Sequence, residues 1–248
     1  RSVKFVEAEI ILETENLKEK RMMLSSKMVN RTHIMRRCFT LIELLAFNLF
    51  RIVNMCFYIK TYSDTELKDK IIQYLGSYHG KVLVLTGIII VIILSITGKY
   101  LGRIQRCFFK DNLKLSWHYF CDDVKQMLIF SIPTVILLGV FSKNILTILF
   151  KSTGNIETLM FQIGSLNILL IPLAVYFSKL IKLLDLKLFS VIIPIISFII
   201  QTIIMGTIVK LESIGTLSLI IAEVIFWLVI VVLELLIIIK TLRLPNLK

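Results

Sequence analysis

Charged side chains and catalytic motifs are both scarce in this sequence. Only 19% of its 248 residues are charged, against about 25% in a typical soluble domain. The chain contains no G-x-S-x-G, H-E-x-x-H or P-loop pattern. Asp122-Asp123 lacks the further spaced carboxylates that would bind magnesium together with a diphosphate, and we interpret the pair as solvated. We therefore predict that the protein is not an enzyme and uses no cofactor.

Cysteine and histidine are also few, and their spacing does not suggest a metal site. The four cysteines form no C-x-x-C pair, and none is spaced as a co-ligand with His33, His79 or His118. We interpret the cysteines as small apolar residues near the ends of membrane spans. The sequence predicts no bound metal.

Apolar residues are abundant and occur in long runs. They make up 56% of the chain, and many lie in stretches of about 18–25 residues, the length that crosses a hydrocarbon core of about 30 Å as a helix. We predict an all-α polytopic transmembrane helix bundle of about six spans over residues 38–248, preceded by a polar amphipathic segment, 1–37, on the membrane surface. The stretch 102–125 is predicted to be an interfacial helix. The predicted spans are 39–59, 81–101, 126–150, 156–178, 188–209 and 215–239.

The basic residues predict the orientation of the chain. With six spans, the segments on the side of the two termini contain 21 lysines and arginines, and the segments on the other side contain seven. By the positive-inside rule, both termini face the cytoplasm of a plasma-membrane protein. Because the net charge of +12 flanks the spans, we expect membrane lipids rather than nucleic acid as its partner.

Polar residues form a stripe on the first predicted span. Glu43, Arg51 and Asn54 fall within about 80° on a helix, and Asn48 lies about 60° beyond them. A charge at the centre of a span costs about 2.5–3.5 kcal/mol even on lenient scales. The stripe therefore either lines an aqueous cavity or packs against polar groups of other helices.

Several later polar residues also fall inside predicted spans. Glu223 and Glu234 are eleven residues apart and share a helix face; Glu223 is deep enough to pair with a base or bind a proton, whereas Glu234 is interpreted as solvated. Lys143 is a further candidate if its side chain points inward. Interhelical hydrogen bonds are expected from Gln162, Asn167 and Gln201.

Prolines occur in three of the predicted spans. A bundle tolerates such kinks because neighbouring groups satisfy the freed carbonyls. Three kinked spans in about six are typical of transporters. The residues are Pro133, Pro172 and Pro194.

Residues 70–240 resemble the second half of the polysaccharide-transporter branch of the multidrug/oligosaccharidyl-lipid/polysaccharide superfamily. The similar elements are Tyr78-Gly80 before a span, Asp111-Asn112, Ile132-Pro133, the run 141–150, the segment 166–184 and Ile214-Gly215. The chain departs from the pattern at Lys151-Ser152, where the family has Gly, and at Gly98 and Gly102, near which the family has Pro.

This resemblance implies a transporter of two six-helix lobes around a basic central cavity. The chain would be the second lobe, and its partners would be a missing N-terminal lobe and a lipid-linked glycan. Arg51, supported by Lys143, would bind the diphosphate of that substrate, since a guanidinium can bond two phosphate oxygens.

The sequence leaves three functions open. The first is a flippase for lipid-linked oligosaccharides or polysaccharide repeat units in cell-envelope biosynthesis. The second is a cation-coupled multidrug exporter of the same superfamily, which would need acidic residues in its cavity. The third is a polytopic membrane protein without transport activity, such as a membrane-embedded transferase or a scaffold for cell-wall enzymes.

Overall fold

A computed structural model describes residues 82–151, 154–186, 188–208 and 217–243. These ranges contain eight α-helices and no strand, as the all-α prediction requires. In chain order the helices are α1 (Leu83–Ile96), α2 (Leu101–Phe109), α3 (Leu113–Val140), α4 (Ser142–Phe150), α5 (Asn155–Ser165), α6 (Asn167–Leu183), α7 (Phe189–Ile208) and α8 (Ser218–Arg243).

Four helical segments are long and apolar enough to cross a membrane. They are α3, the nearly continuous pair α5–α6 (Asn155–Leu183), α7 and α8. The pair α1–α2 passes the same test only when its two helices, bent by 48° from each other, are counted together, which would raise the number of spans to five. The predicted count of six is therefore not confirmed, and its first span, 39–59, lies outside the described residues together with segment 1–37.

Helix α3 differs from the predicted span 126–150 at both ends. It begins at Leu113 and continues through most of the stretch that was predicted as a separate interfacial helix. The break before it lies at Asp111, whose φ is 55°, and at Asn112, whose side chain accepts a hydrogen bond from the N–H of Leu115 at 3.3 Å. An asparagine cap of this kind satisfies a free donor and begins a helix, so α3 starts here and not at the edge of the apolar run.

The apolar core forms clusters at opposite ends of the bundle. One cluster joins the start of α1, Leu146 of α4, Phe161 of α5, Met205 of α7 and the start of α8. Another joins α2, the first half of α3, most of α6, the start of α7 and the later part of α8. Successive spans therefore alternate in direction, and α6 and α8 run the same way.

Large apolar side chains occupy the outer surface as well as the core, and several polar side chains are buried between the helices. Large apolar residues face outward, among them Val140 at 71% exposure and Ile148 at 78%. Asp123, Gln201 and Glu234 are all 0% exposed. Because a water-soluble domain buries its large apolar residues first, this arrangement is compatible with a multi-pass membrane protein.

The alternating spans predict where reporters will be found. A reporter fused after Lys248 and one inserted near Thr153 should lie on opposite sides of the membrane, because α5–α6, α7 and α8 separate the two positions. Protease protection of the two fusions in membrane vesicles measures this. If both reporters lie on the same side of the membrane, the alternating direction of these spans is wrong.

Candidate functional site

Asp123 of α3 lies between α2 and α6 with its carboxylate buried. Its Oδ2 accepts a hydrogen bond from the hydroxyl of Tyr176 on α6 at 3.0 Å and from the backbone N–H of Tyr100 at 3.2 Å. No described residue donates a hydrogen bond to its Oδ1. Because Tyr100 directly precedes α2, the carboxylate caps the N-terminus of that helix, where the helix dipole favours negative charge.

The carboxylate fixes the elbow, residues 97–100, at which α1 ends and α2 begins. Gly98 adopts φ 80° there, a left-handed conformation that glycine adopts without steric cost. Helix α2 is also bound to the bundle by Gln105, which donates to the carbonyl of Leu183 at 3.2 Å, and through its Ile104 carbonyl, which accepts from the Ser116 hydroxyl at 3.2 Å. Three hydrogen-bonding groups thus hold a short helix in one orientation.

The interpretation of Asp122-Asp123 as a solvated pair is wrong for Asp123. Asp122 has 41% of its side chain exposed and lies 3.4 Å from Nε2 of His118, whereas Asp123 is fully buried. Asp123 belongs to a set of buried residues that recur every three or four positions along α3, of which three are polar. The set consists of Ser116, Phe120, Asp123, Met127 and Ser131.

A second polar region lies at the interface between α6 and α8. The hydroxyl of Ser178 on α6 donates to Oε1 of Glu234 on α8, and Glu234 is 0% exposed. The interpretation of Glu234 as a solvated residue is therefore wrong. The nearby helix end does not expose it because its side chain points at α6.

The same interface extends toward Glu223. Asn167 and Glu223 each precede Ser178 and Glu234 by eleven residues, which is three helical turns plus about 20°. Since α6 and α8 run in the same direction, Asn167 and Glu223 both lie three turns before the contact between Ser178 and Glu234. Asn167 is 4% exposed and Glu223 is 5% exposed, and no described residue donates to Oδ1 of Asn167. Each of the two buried side chains carries an oxygen of the kind that binds a proton or a small cation.

Gln162 of α5 makes an interhelical contact of the kind predicted for it. Its amide donates to the carbonyl of Gly139 at 3.2 Å and to the hydroxyl of Ser142 at 3.1 Å. Both acceptors flank Phe141, where α3 ends and α4 begins. The side chain therefore supplies a hydrogen bond to a carbonyl at the break between the two helices.

The structure describes only two of the six predicted site residues. Glu43, Asn48, Arg51 and Asn54 lie outside the described residues. Lys143 is exposed on α4, and Glu223 is buried on α8. No described contact joins Lys143 to Glu223.

An apolar groove lies along the outer side of α3. Its volume is about 530 Å³, and it follows successive turns of the helix past Pro133. The lining is almost entirely apolar apart from one lysine. It consists of Phe120, Cys121, Val124, Lys125, Leu128, Ile129, Ile132 and Pro133.

The described ranges contain no group of three His, Cys, Asp or Glu residues that could hold a metal ion. No family model, no curated protein and no solved structure matches this chain. The resemblance to the polysaccharide transporters therefore stays a hypothesis. What the fold defines is a class: an all-helical protein with several apolar helices that could span a membrane and with acidic groups buried between them.

Proposed function

We propose that the protein is a membrane transporter, acting as one lobe of a flippase for lipid-linked oligosaccharides in cell-envelope biosynthesis. The main support for a transporter of any kind is the burial of carboxylates between apolar helices, at Glu223 and Glu234. An ionisable residue inside a membrane span is costly, and it usually faces a substrate path, an ion path or a partner. Such residues mark transport proteins more often than passive anchors.

The groove on α3 favours the proposal that the substrate is linked to a lipid. Its apolar lining suits a hydrocarbon chain, and the Lys125 ammonium at its edge suits a phosphate group on that chain. Pro133 borders the groove and provides no N–H for the carbonyl of Ile129. A groove that opens sideways lets a lipid tail remain in the bilayer while its polar headgroup crosses.

Irregular helices supply the flexibility that alternating access requires. A break at Phe141 separates α3 from α4, whereas α5 and α6 are nearly continuous through Leu166, and proline lies within α6 at Pro172 and within α7 at Pro194. Transporters use interrupted spans at their binding sites and move one bundle against another. In this proposal the chain acts with a second lobe, in the plasma membrane, with both termini cytoplasmic.

A cation-coupled multidrug exporter is the second candidate. It is favoured by the sign of the buried charge, because Glu223 and Glu234 are both acidic while Lys143 is exposed. Buried carboxylates bind cationic substrates or coupling cations, and they repel a phosphate. The basic group that a flippase needs is Arg51 in this proposal.

A transport assay with two substrates distinguishes the two candidates. The complete protein is reconstituted into vesicles that contain a fluorescent lipid-linked oligosaccharide in both leaflets, and an impermeant quencher is added outside. A flippase lets the quencher reach the lipid of both leaflets over time, whereas empty vesicles keep the inner leaflet protected. Efflux of a cationic dye from matched vesicles, without lipid movement, would favour the exporter instead.

Glu223→Gln is predicted to weaken the dependence of transport on a coupling cation. The substitution keeps the shape of the side chain but removes its charge, and a charge-assisted bond contributes about 1.5–3 kcal/mol. We expect the initial rate to fall about tenfold or more and to respond less to pH and sodium; Asn167→Ala should raise the cation concentration needed for half-maximal rate.

The matched control for this prediction is Glu157→Gln. Glu157 is half-buried in the first turn of α5, away from the interface between α6 and α8. A Glu223→Gln protein that keeps the native response to pH and sodium would remove Glu223 from the coupling site.

A further inference from the structure

Helix α2 has one strongly basic face. Arg103, Arg106 and Lys110 fall within about 60° of one another around the helix axis. The opposite side contains Ile104, which is 0% exposed and packs into the core. The basic groups therefore all point away from the bundle.

These positive charges are not neutralised by the part of the chain that the structure describes. Arg103, Arg106 and Lys110 form no ion pair with any described carboxylate. The guanidinium of Arg103 instead lies 5.3 Å from the ring of Tyr100 and 6.0 Å from the ring of Tyr119. Cation–π contacts of this kind orient the guanidinium but leave its N–H groups available for an anion.

The position of α2 puts its basic face at the level of the membrane surface. The helix is bent by 48° away from α1, and Asp123 holds the elbow in place. Tyr100 and Tyr119 stack with ring centroids 5.2 Å apart, and aromatic rings of this type concentrate at the level of lipid headgroups. Phe109 adds an apolar side chain that is 59% exposed.

We propose that α2 is a binding site for anionic phospholipid headgroups. Arg103 and Arg106 bond the phosphate oxygens, Lys110 adds a third positive charge, and Phe109 inserts among the acyl chains. A guanidinium suits phosphate because it can form two parallel N–H···O bonds. We favour a lipid over a nucleic acid because α2 directly continues an apolar helix of membrane-spanning character, so that the headgroup meets the charges while the acyl chains meet the exposed ring. The site is independent of whether the protein transports a substrate.

Quenching of tryptophan by brominated lipids tests the site on the complete chain. Trp117 is half-buried near α2, since its neighbour Ser116 bonds the carbonyl of Ile104, whereas Trp227 is only 8% exposed. Vesicles of phosphatidylcholine receive increasing amounts of brominated phosphatidylglycerol or brominated phosphatidylcholine. We expect the anionic lipid to be preferred, and Arg103→Gln/Arg106→Gln to reduce that preference by about thirtyfold, given the usual contribution of a basic residue near an anionic surface.

Two comparisons make the result specific. Lys143→Gln/Lys151→Gln removes the same number of charges at the other end of the bundle and should leave the preference near Trp117 unchanged. Arg103→Lys/Arg106→Lys should restore most of it, which shows that folding is intact. An unchanged preference in the glutamine variant, or an equal loss in the Lys143/Lys151 control, would overturn the proposal. So would displacement of the lipid by sodium phosphate beyond the effect of sodium chloride at equal ionic strength, because that result assigns the site to free phosphate.

Discussion

Asp123→Ala is expected to destabilise the protein by about 3 kcal/mol, because hydrogen bonds to a charged group contribute about 1.5–3 kcal/mol each and two are lost. The substitution removes the acceptor of the Tyr176 hydroxyl and of the Tyr100 N–H. Both donors stay buried or half-buried and lose their partner. Since the Tyr100 contact caps α2, we expect the elbow to loosen before the rest of the bundle unfolds.

Two measurements check this expectation. Thermal unfolding of the detergent-solubilised protein should shift to lower temperature, and trypsin should cleave after Arg103 and Arg106 more rapidly than in the native protein. Asp122→Ala is the matched control, because Asp122 is adjacent, has the same charge and is 41% exposed. Equal unfolding temperatures for the two variants would show that the buried contacts of Asp123 do not stabilise the fold.

Tyr176→Phe separates the two hydrogen bonds of Asp123. It removes the hydroxyl and leaves the bond from the Tyr100 N–H in place, so the loss should be about half of that caused by Asp123→Ala. The trypsin sites of α2 should remain protected. Loss of protection in Tyr176→Phe would mean that the elbow depends on α6 packing and not on the cap.

The apolar runs were sufficient to locate most helices, but not the points at which they break. A span needs only length and apolar composition, which the sequence shows directly. The end of α3 at Phe141 has no proline or glycine at the break itself, and the contact there is made by Gln162, twenty residues after Ser142 in the chain. The beginning of α3 depends on one asparagine cap. Such breaks follow from tertiary contacts and single side chains, which hydropathy averages out.

The sequence was also insufficient to predict how the buried polar groups are arranged. The eleven-residue spacing of Glu223 and Glu234 predicts that they share a helix face. It cannot reveal that Asn167 and Ser178 have the same spacing on a neighbouring helix, because this requires knowing that α6 and α8 are adjacent and parallel. The burial of Asp123 could not be recognised from apolar periodicity, because three of the five buried residues on α3 are polar, and its aspartate neighbour made a solvated pair the simpler interpretation.

Local structure accounts for some of the residues that resemble the polysaccharide transporters. Asp111 adopts φ 55° and Asn112 caps α3, so this pair forms the turn that precedes α3. Lys151 ends α4 with φ 52°, the left-handed conformation that favours glycine, and it stands where the family has Gly. The resemblance at Asp111-Asn112 and the departure at Lys151 therefore both reflect how helices begin and end. Support for a transported substrate must come from groups inside the spans.

Arg51→Ala is the substitution expected to affect transport most strongly. In the proposed flippase, Arg51 bonds the diphosphate of the substrate, and each charge-assisted bond contributes about 1.5–3 kcal/mol. Loss of two such bonds should lower transport by at least about a hundredfold, so that the variant no longer supports growth in a complementation assay, while insertion and abundance stay normal. Arg51→Lys should retain partial activity, because an ammonium still attracts phosphate but cannot bond two oxygens in parallel.

If Arg51 is structural instead, Arg51→Ala will lower the abundance of the protein, and adding Glu43→Ala should restore it. Full transport by a normally abundant Arg51→Ala protein would exclude Arg51 from substrate binding and would leave the buried carboxylates, and with them the cation-coupled exporter, as the better-supported function.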